Sequence, residues 1–350
     1  MITAELLTPA LVVDLDAFEA NLAAAEALVQ GTGKRLRPHF KTHRTPEIAL
    51  RQLGPAATGL TCATVGEAEV LVRAGVRDVL IANEVVSQPK LDSVARLAIE
   101  ARISIAVDAP GPLTDLARAA RRAGAVVDVL IDLDIGLNRC GVRTLQEACA
   151  LAALAARTSG VQLAGLMGYE GRIRRSAPDR AAKIAAAYAR LAEVKAALEA
   201  EGHSIRVVSS AGTATLREAL DDPVITEIQA GTYALMEPDI EDLGLPFRPA
   251  VSVIGTVISR TEGRGVLDVG RRSVSADRGL PLSLHPQAEV VGLNDEHTIL
   301  TWTGALPNLG EQIRLRPTQN RTTFNLHDAV WTARGNQIVG YWPVSARGKS

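Results

Sequence analysis

Only six lysines, at positions 34, 41, 90, 183, 195 and 349, stand among 38 basic residues, so a lysine at a strand end is a chemical choice. Lys41 lies in His39-Phe40-Lys41-Thr42-His43, at the end of an apolar run from Leu36 to Phe40. If that run is a barrel strand, the lysine points into the mouth and is largely desolvated. Desolvation disfavours the ammonium and leaves the neutral amine that attack on a carbonyl requires. By position alone, a solvated loop lysine is the alternative. Two further segments carry small residues with accessible amides: Ser209 to Thr215, which includes Ser210, Gly212 and Thr213, and Gln229 to Tyr233, which includes Gly231 and Thr232. Glycine lets backbone N–H groups approach an anion with no Cβ in the way. Either segment alone reads equally as a turn, whereas two on adjacent strand ends favour a phosphate.

The elements that must position these groups follow one rhythm: an apolar run, a turn, then an Ala-rich amphipathic stretch. The runs fall near Leu36–Phe40, Gly59–Cys62, Val79–Asn83, Ile103–Val107, Val126–Asp132, Val161–Met167, Ile205–Ser209 and Val224–Ile228. Between them lie helical stretches that stop at glycines such as Gly124 and Gly202, as C-cap chemistry favours. Eight such units predict an α/β fold, a closed (β/α)8 TIM-type barrel, with the open doubly wound sheet as the alternative. Barrel chemistry sits after the strands. Lys41 follows the first, Asn83 the third, Asp108 the fourth, Asn138 and Arg139 the fifth and Tyr169 the sixth. A phosphate anchor and a lysine at a barrel mouth are what pyridoxal phosphate requires. Arg139 then suits the cofactor's phenolate oxygen or a substrate carboxylate; otherwise it is half of a surface ion pair.

From about Phe247 the pattern changes to short alternating strands rich in Gly, Pro and Thr, which reads as an all-β domain. The expected organisation is a barrel over 16–245, a C-terminal β domain over 246–350, and a first strand within 1–15 that joins the β domain. The net charge of −1 offers nothing to a nucleic-acid backbone or an anionic membrane, so a small-molecule substrate is expected. Cys62, Cys140 and Cys149 form no CxxC pair, which suits a reducing cytoplasm, and Cys62 and Cys140 read as small core residues and not as nucleophiles. The N-terminal residues lack a signal-peptide pattern, and no apolar run is long enough to span a bilayer.

At these residues the sequence resembles the pyridoxal-phosphate family that contains D-threonine aldolase, 3-hydroxy-D-aspartate aldolase and the eukaryotic-type D-serine dehydratase, built on the alanine-racemase-like barrel of fold-type III. The resemblance covers nearly the whole chain. It is carried by Thr8–Leu22, Arg37–Ala49, Asp134–Val142, Leu166–Gly171, Ser209–Thr215, Glu227–Tyr233, and the segments TTFNLHDAVW and WPVSARGK near the end. It implies that Lys41 carries the cofactor as a Schiff base, that Arg139 lies near the ring oxygen, and that the two small-residue loops, with Gln229, Thr232 and Tyr233, bind the phosphate. It also implies a homodimer and an amino-acid substrate.

One departure bears on mechanism. The resemblance places a metal-binding His, followed two positions later by Asp or Cys, just before the NLHD segment, where this chain has Gln319 and Arg321. Gln is a poor ligand and Arg a cation without an acceptor, so no metal is expected there. His327 and Asp328 match the family's NLHD segment and not a replacement pair. Arg321 is instead a cation able to hold oxygen charge. The expected activity is a metal-independent lyase that cleaves Cα–Cβ of a β-hydroxy D-amino acid to glycine or a related amino acid plus an aldehyde, with Lys41, Tyr169, Arg321 and His327 as catalytic groups. The family's base is a His in the loop after the sixth strand, where this chain has Arg172. A racemase or epimerase is the alternative, with a β-eliminating dehydratase and a non-catalytic cofactor-binding protein behind it.

Overall fold

The computed structural model describes every residue except Thr58, Arg172, Arg174 and Arg175. The chain divides into two compact units. One comprises Glu26–Lys41, Ala49–Gly231 and Lys349–Ser350, the other Met1–Ala25, Thr42–Ile48 and Thr232–Gly348.

The strand β1 (Ala10–Asp14) belongs to the second unit. In the first, β2 (Arg35–Leu36), β3 (Leu60–Cys62), β4 (Asp78–Ile81), β5 (Arg102–Val107), β6 (Val127–Leu133), β7 (Val161–Gly168), β8 (Val207–Ser210) and β9 (Glu227–Ile228) form a parallel sheet. Its order is β2-β9-β8-β7-β6-β5-β4-β3. Parallel bridges Leu36↔Ala57 and His39↔Thr61 join its two ends, so the sheet closes into the barrel. Every residue of β6 is buried, as expected of a strand covered on both faces. Leu80, Ala106, Leu130 and Met167 form a buried cluster.

Local chemistry sets the helices between these strands. Thr64 caps Val65–Arg73 by accepting from Glu67 N. Thr144 and Glu147 form a capping box on Leu145–Arg157, and Gly124 ends Pro110–Ala123 in the left-handed conformation, all as end-capping chemistry favours.

Two strands are shorter than their apolar runs. The run from Leu36 to Phe40 is a regular strand only over Arg35–Leu36. Arg37 N and His39 N still donate to Ile228 O and Ala230 O at 2.8 and 3.1 Å, but Pro38 has no N–H for the neighbour on its other side and the chain turns into a 3-10 segment at Phe40–Thr42. The run from Val224 pairs only over Glu227–Ile228. Upstream, Asp222 Oδ1 accepts from Val224 N and Ile225 N at 2.9 and 3.1 Å, and this Asx turn holds the chain out of the sheet.

The second unit contains β1, β10 (Val251–Thr261), β11 (Arg264–Leu267), β12 (Leu282–Ser283), β13 (Ala288–Leu293), β14 (Thr298–Trp302), β15 (Gln312–Arg316), β16 (Ala329–Arg334) and β17 (Gln337–Pro343). β1 pairs antiparallel with β10 and parallel with β16, which brings the N-terminal strand into this sheet. Leu6, Ala10, Val12, Ile254 and Ala333 form a buried cluster, with Trp331 and Ile338 packed against it. Among the described residues no helix is long and apolar enough to cross a membrane.

Candidate active site

In the barrel unit the chemistry-bearing residues follow the strands. Lys41 comes after the fully buried Phe40 and is itself half-buried. The loop after β6 is preset by its own carboxylates. Asp134 Oδ1 accepts from Gly136 N at 3.1 Å and Asn138 N at 2.9 Å, and Asp108 Oδ2, at the end of β5, accepts from Gly141 N at 3.1 Å. Val142 N donates to Asp132 O at 2.9 Å and closes the loop. Asn138 adopts a φ of 54°, and Arg139 stands exposed on this frame.

Below Arg139 lies an acidic pair. Asp132 is 5% exposed, and its carboxyl is pushed up to about 9 by burial first, then by the hydrogen bond and charge of Glu84 and the charge of Asp108, against the pull of Arg139. One proton shared between two crowded carboxyls is the physical outcome. Burial, with Glu84 beside it, also pushes the Cys140 thiol up to about 11, which makes it a poor nucleophile at neutral pH.

The segments after β7, β8 and β9 meet. Ser210 Oγ donates to Gly168 O at 2.8 Å, Gln229 N donates to Ser210 O at 3.0 Å, and Gln229 Nε2 donates to Ser209 Oγ at 3.0 Å. Ala211 holds a φ of 65°, which a residue with a Cβ adopts at a cost of about 1–2 kcal/mol. Such an outlier persists only where the surrounding structure holds it. A Cβ built on Gly212 lies 3.6 Å from the Tyr169 ring, so Tyr169 and the Ser210–Thr213 loop are neighbours. Thr213 is buried, and Gly231 ends the barrel unit.

In the β unit, Thr232, Tyr233 and Ala234 form a 3-10 turn. Tyr233 is 1% exposed, and its ring packs on Phe247 with centroids 5.6 Å apart. Arg321 is the second residue of the short helix Asn320–Asn325, and its Nη2 lies 4.0 Å from Glu237 Oε2. Glu237 Oε1 accepts from Asn320 N at 2.8 Å, and Arg278 Nη1 lies 3.3 Å from its other oxygen. Burial raises the Glu237 carboxyl, and Arg321, the Asn320 amide and Arg278 oppose it. Thr322 Oγ1 lies 2.6 Å from both Gln319 Oε1 and Asp277 Oδ2, which compete for its one hydrogen.

His327 Nε2 lies 2.7 Å from Ser273 O. A carbonyl only accepts, so Nε2 carries the hydrogen and Nδ1 the lone pair. Burial, with Arg347 adding to it, lowers this imidazole against the Ser273 hydrogen bond and Asp328. Arg172, the position of the family's base, lies outside the described residues.

Three groups have no signal in the sequence pattern. Asp132 is a single polar residue inside an apolar strand, Glu84 follows a strand without any motif, and Glu170 sits beside Tyr169, which draws the eye first. An acid within a strand buried on both faces is the only available clue.

The alanine racemase N-terminal domain profile matches residues 13–237, and a profile described as a putative serine dehydratase domain matches residues 250–333. D-threonine aldolase of an Arthrobacter species is 39% identical over 359 aligned positions, covering 98% of this chain and 93% of that protein. 3-Hydroxy-D-aspartate aldolase of Paracoccus denitrificans strain Pd 1222 is 32% identical, covering 99% of this chain and 93% of that protein. The crystal structure of D-threonine aldolase from Filomicrobium marinum matches with a TM-score of 0.94 at 39% identity, covering 99% of this chain and 97% of that one.

Proposed function

The chain belongs to the alanine racemase N-terminal domain family, and from that membership we propose that it is a pyridoxal-phosphate lyase. It cleaves Cα–Cβ of a β-hydroxy D-amino acid and yields glycine or a related amino acid plus an aldehyde. The observation that carries this reading is the near full-length match to two aldolases of D-amino acids, on a chain that keeps Lys41 after β2 and a rigid loop after β8. When bound, the cofactor supplies an electron-withdrawing ring that takes up the electron pair left on Cα.

The residues present fit that cofactor: a half-buried lysine at a strand end, and a loop whose Ala211 is held left-handed beside Tyr169. Lys41 holds it covalently, and Arg139 neutralises its ring oxygen. Ser210, Gly212, Thr213, Gln229 and Gly231 hold the phosphate, with Thr232 and Tyr233 continuing the last loop. Tyr169 borders the reacting atoms. Arg321 and His327, within the β unit, are the further catalytic groups of this reading, and the protein is a homodimer. The Nδ1 lone pair of His327 accepts the β-hydroxyl proton, and the Arg321 cation stabilises charge on that oxygen.

The residues do not fit a divalent metal at the family's position. The neutral Gln319 amide oxygen is a weak ligand compared with an imidazole or a carboxylate, and Arg321 brings a positive charge. The proposed activity is therefore metal-independent, and it should survive exhaustive chelation. The same replacement favours a second reading, racemisation at Cα, which needs no charge stabilisation on a β-oxygen. Absorbance of the purified protein before and after borohydride, for wild type and Lys41→Ala, tests the cofactor. A panel of β-hydroxy D-amino acids then separates aldehyde release from loss of optical rotation. A protein with no visible band after reconstitution overturns the reading.

A further inference from the structure

Glu170 has no role in the reading above, yet it is 4% exposed and is bonded to the Ser210–Thr215 loop. Thr215 Oγ1 donates to its Oε1, and the Ala211 amide donates to its carboxylate. Thr215 Oγ1 in turn accepts from Gly212 N at 3.2 Å. One carboxyl thus holds both amides at the turn of the loop, including that of the left-handed Ala211.

The second oxygen, Oε2, is buried and meets no donor. The titratable groups facing this carboxyl are Tyr188, from the helix Arg180–Ala200, and Glu218, from the helix Leu216–Asp221. Arg180 is occupied by Glu218 and by Ala214 O, the latter at 2.6 Å. Burial holds the Glu170 carboxyl above the usual range, with Thr215 and Ala211 opposing and Glu218 adding to the rise. The strongest influences on this carboxyl include no cation. A phosphate seated on this loop brings a second negative charge to it through shared hydrogen-bonded backbone, and two uncompensated anions in a low-dielectric site do not both persist.

We propose that Glu170 is the positioning residue of the phosphate loop and that seating the cofactor's phosphate there raises its affinity for a proton, which it takes from solvent on binding over the pH range between its free-state and bound-state titrations. The proton sits on Oε2, the oxygen with no donor to lose, while Oε1 keeps Thr215. Cofactor affinity is greatest where Glu170 is already protonated. It falls as pH rises, by at most about tenfold per pH unit for one linked proton, until the carboxyl ionises in the bound state as well. This inference rests on the cofactor reading.

The test titrates the full-length apoprotein with pyridoxal phosphate across pH, followed by absorbance and by calorimetry in two buffers of different ionisation enthalpy, which counts protons. Glu170→Gln keeps an oxygen for Thr215 and Ala211 but does not titrate. It is expected to bind within about threefold of wild type at the acid end, and to take up fewer protons with a shallower pH slope. The phosphate's own ionisation is common to both proteins and cancels in the difference. Infrared difference spectra of wild type, in which a carboxylic acid band appears on cofactor addition, give a reading that needs no variant. Equal proton counts and slopes for the two proteins, or no carboxylic acid band in wild type, overturn the inference and leave the cofactor reading standing. No binding of pyridoxal phosphate by wild type overturns both.

Discussion

The Arg37 guanidinium lies inside the barrel unit between two carboxylates, with Nη1 2.7 Å from Asp78 Oδ1 and Nε 2.7 Å from Glu227 Oε1. Burial alone lowers this guanidinium, but Glu227 and Asp78 outweigh it and hold it above its ordinary value. The network extends outward through Arg102, which lies 2.8 Å from Asp128. A Cβ on Gly59 would lie 2.5 Å from Arg37 Nη1, so the backbone is fitted around the ion. Arg37→Ala leaves Glu227 without its cation and Asp78 with only the more distant Arg102 at 3.7 Å. It is expected to cost about 3–5 kcal/mol, measured by urea unfolding. Arg102→Ala removes a half-exposed cation and is expected to cost about 1 kcal/mol or less. Equal losses would show that the buried bridge carries no special weight.

The Asp132 pair makes stability depend on pH. Its folded-state value is raised to about 9, so the folded form favours the protonated acid. The resulting stability is fully present below the unfolded-state value of 3.8 and is lost as pH rises toward about 9. Asp132→Asn cannot ionise and loses nothing over that window. Thermal melts of the two apoproteins should separate as pH increases, with the variant more stable by roughly 2–4 °C at the alkaline end. Parallel curves would mean that Asp132 is ionised at neutral pH.

Much of this was legible in the sequence. Eight apolar runs foretold eight parallel strands, because strands buried on both faces must be continuously apolar. Motif spacing put Lys41, Arg139, Tyr169 and the two small-residue loops after strands. The missing parts are those set by partners distant in sequence. Arg37, Asp78 and Glu227 are unremarkable alone, and only the closed sheet brings them together. Nor does a pattern of apolar runs say that Pro38 and the Asx turn at Asp222 will shorten two strands. Glu170 is an ordinary polar letter until Thr215 and Ala211 are seen to bond to it.

The frame of the Arg139 loop gives a sharper experiment on the site. Gly136 and Gly141 both have positive φ, 123° and 98°. A Cβ on Gly136 meets nothing within 4 Å, whereas one on Gly141 lies 2.5 Å from Asp134 N. Gly136→Ala therefore suffers conformational strain alone, of order 1–3 kcal/mol. Gly141→Ala suffers the same strain and also pushes apart the closure that aims Arg139. Cofactor affinity, measured by equilibrium titration, should fall about tenfold more in the second variant than in the first, the equivalent of 1.4 kcal/mol. Similar affinities in both would remove Arg139 from the cofactor's surroundings.

Gln319 and Arg321 allow the metal question to be put in reverse. In this chain Gln319 Oε1 and Asp277 Oδ2 both lie 2.6 Å from the one Thr322 hydroxyl, and the Arg321 guanidinium faces the buried Glu237. Gln319 offers only a weak neutral oxygen, and Arg321 offers no lone pair at all. The double change Gln319→His with Arg321→Asp supplies an imidazole nitrogen and a carboxylate at the two-residue spacing of the resembling enzymes, on the same short helix start. It also removes the positive charge that repels a divalent ion. Calorimetric titration with manganese or zinc is expected to show one site per chain in the double variant and none in wild type. Losing Arg321 also weakens the compensation of Glu237, so a modest drop in melting temperature should accompany the gain, and added metal should reverse it by mass action. A wild-type protein that binds the ion as tightly as the variant would locate a metal site elsewhere and end the metal-independent reading. A variant that binds none would mean that the two positions do not face a common point.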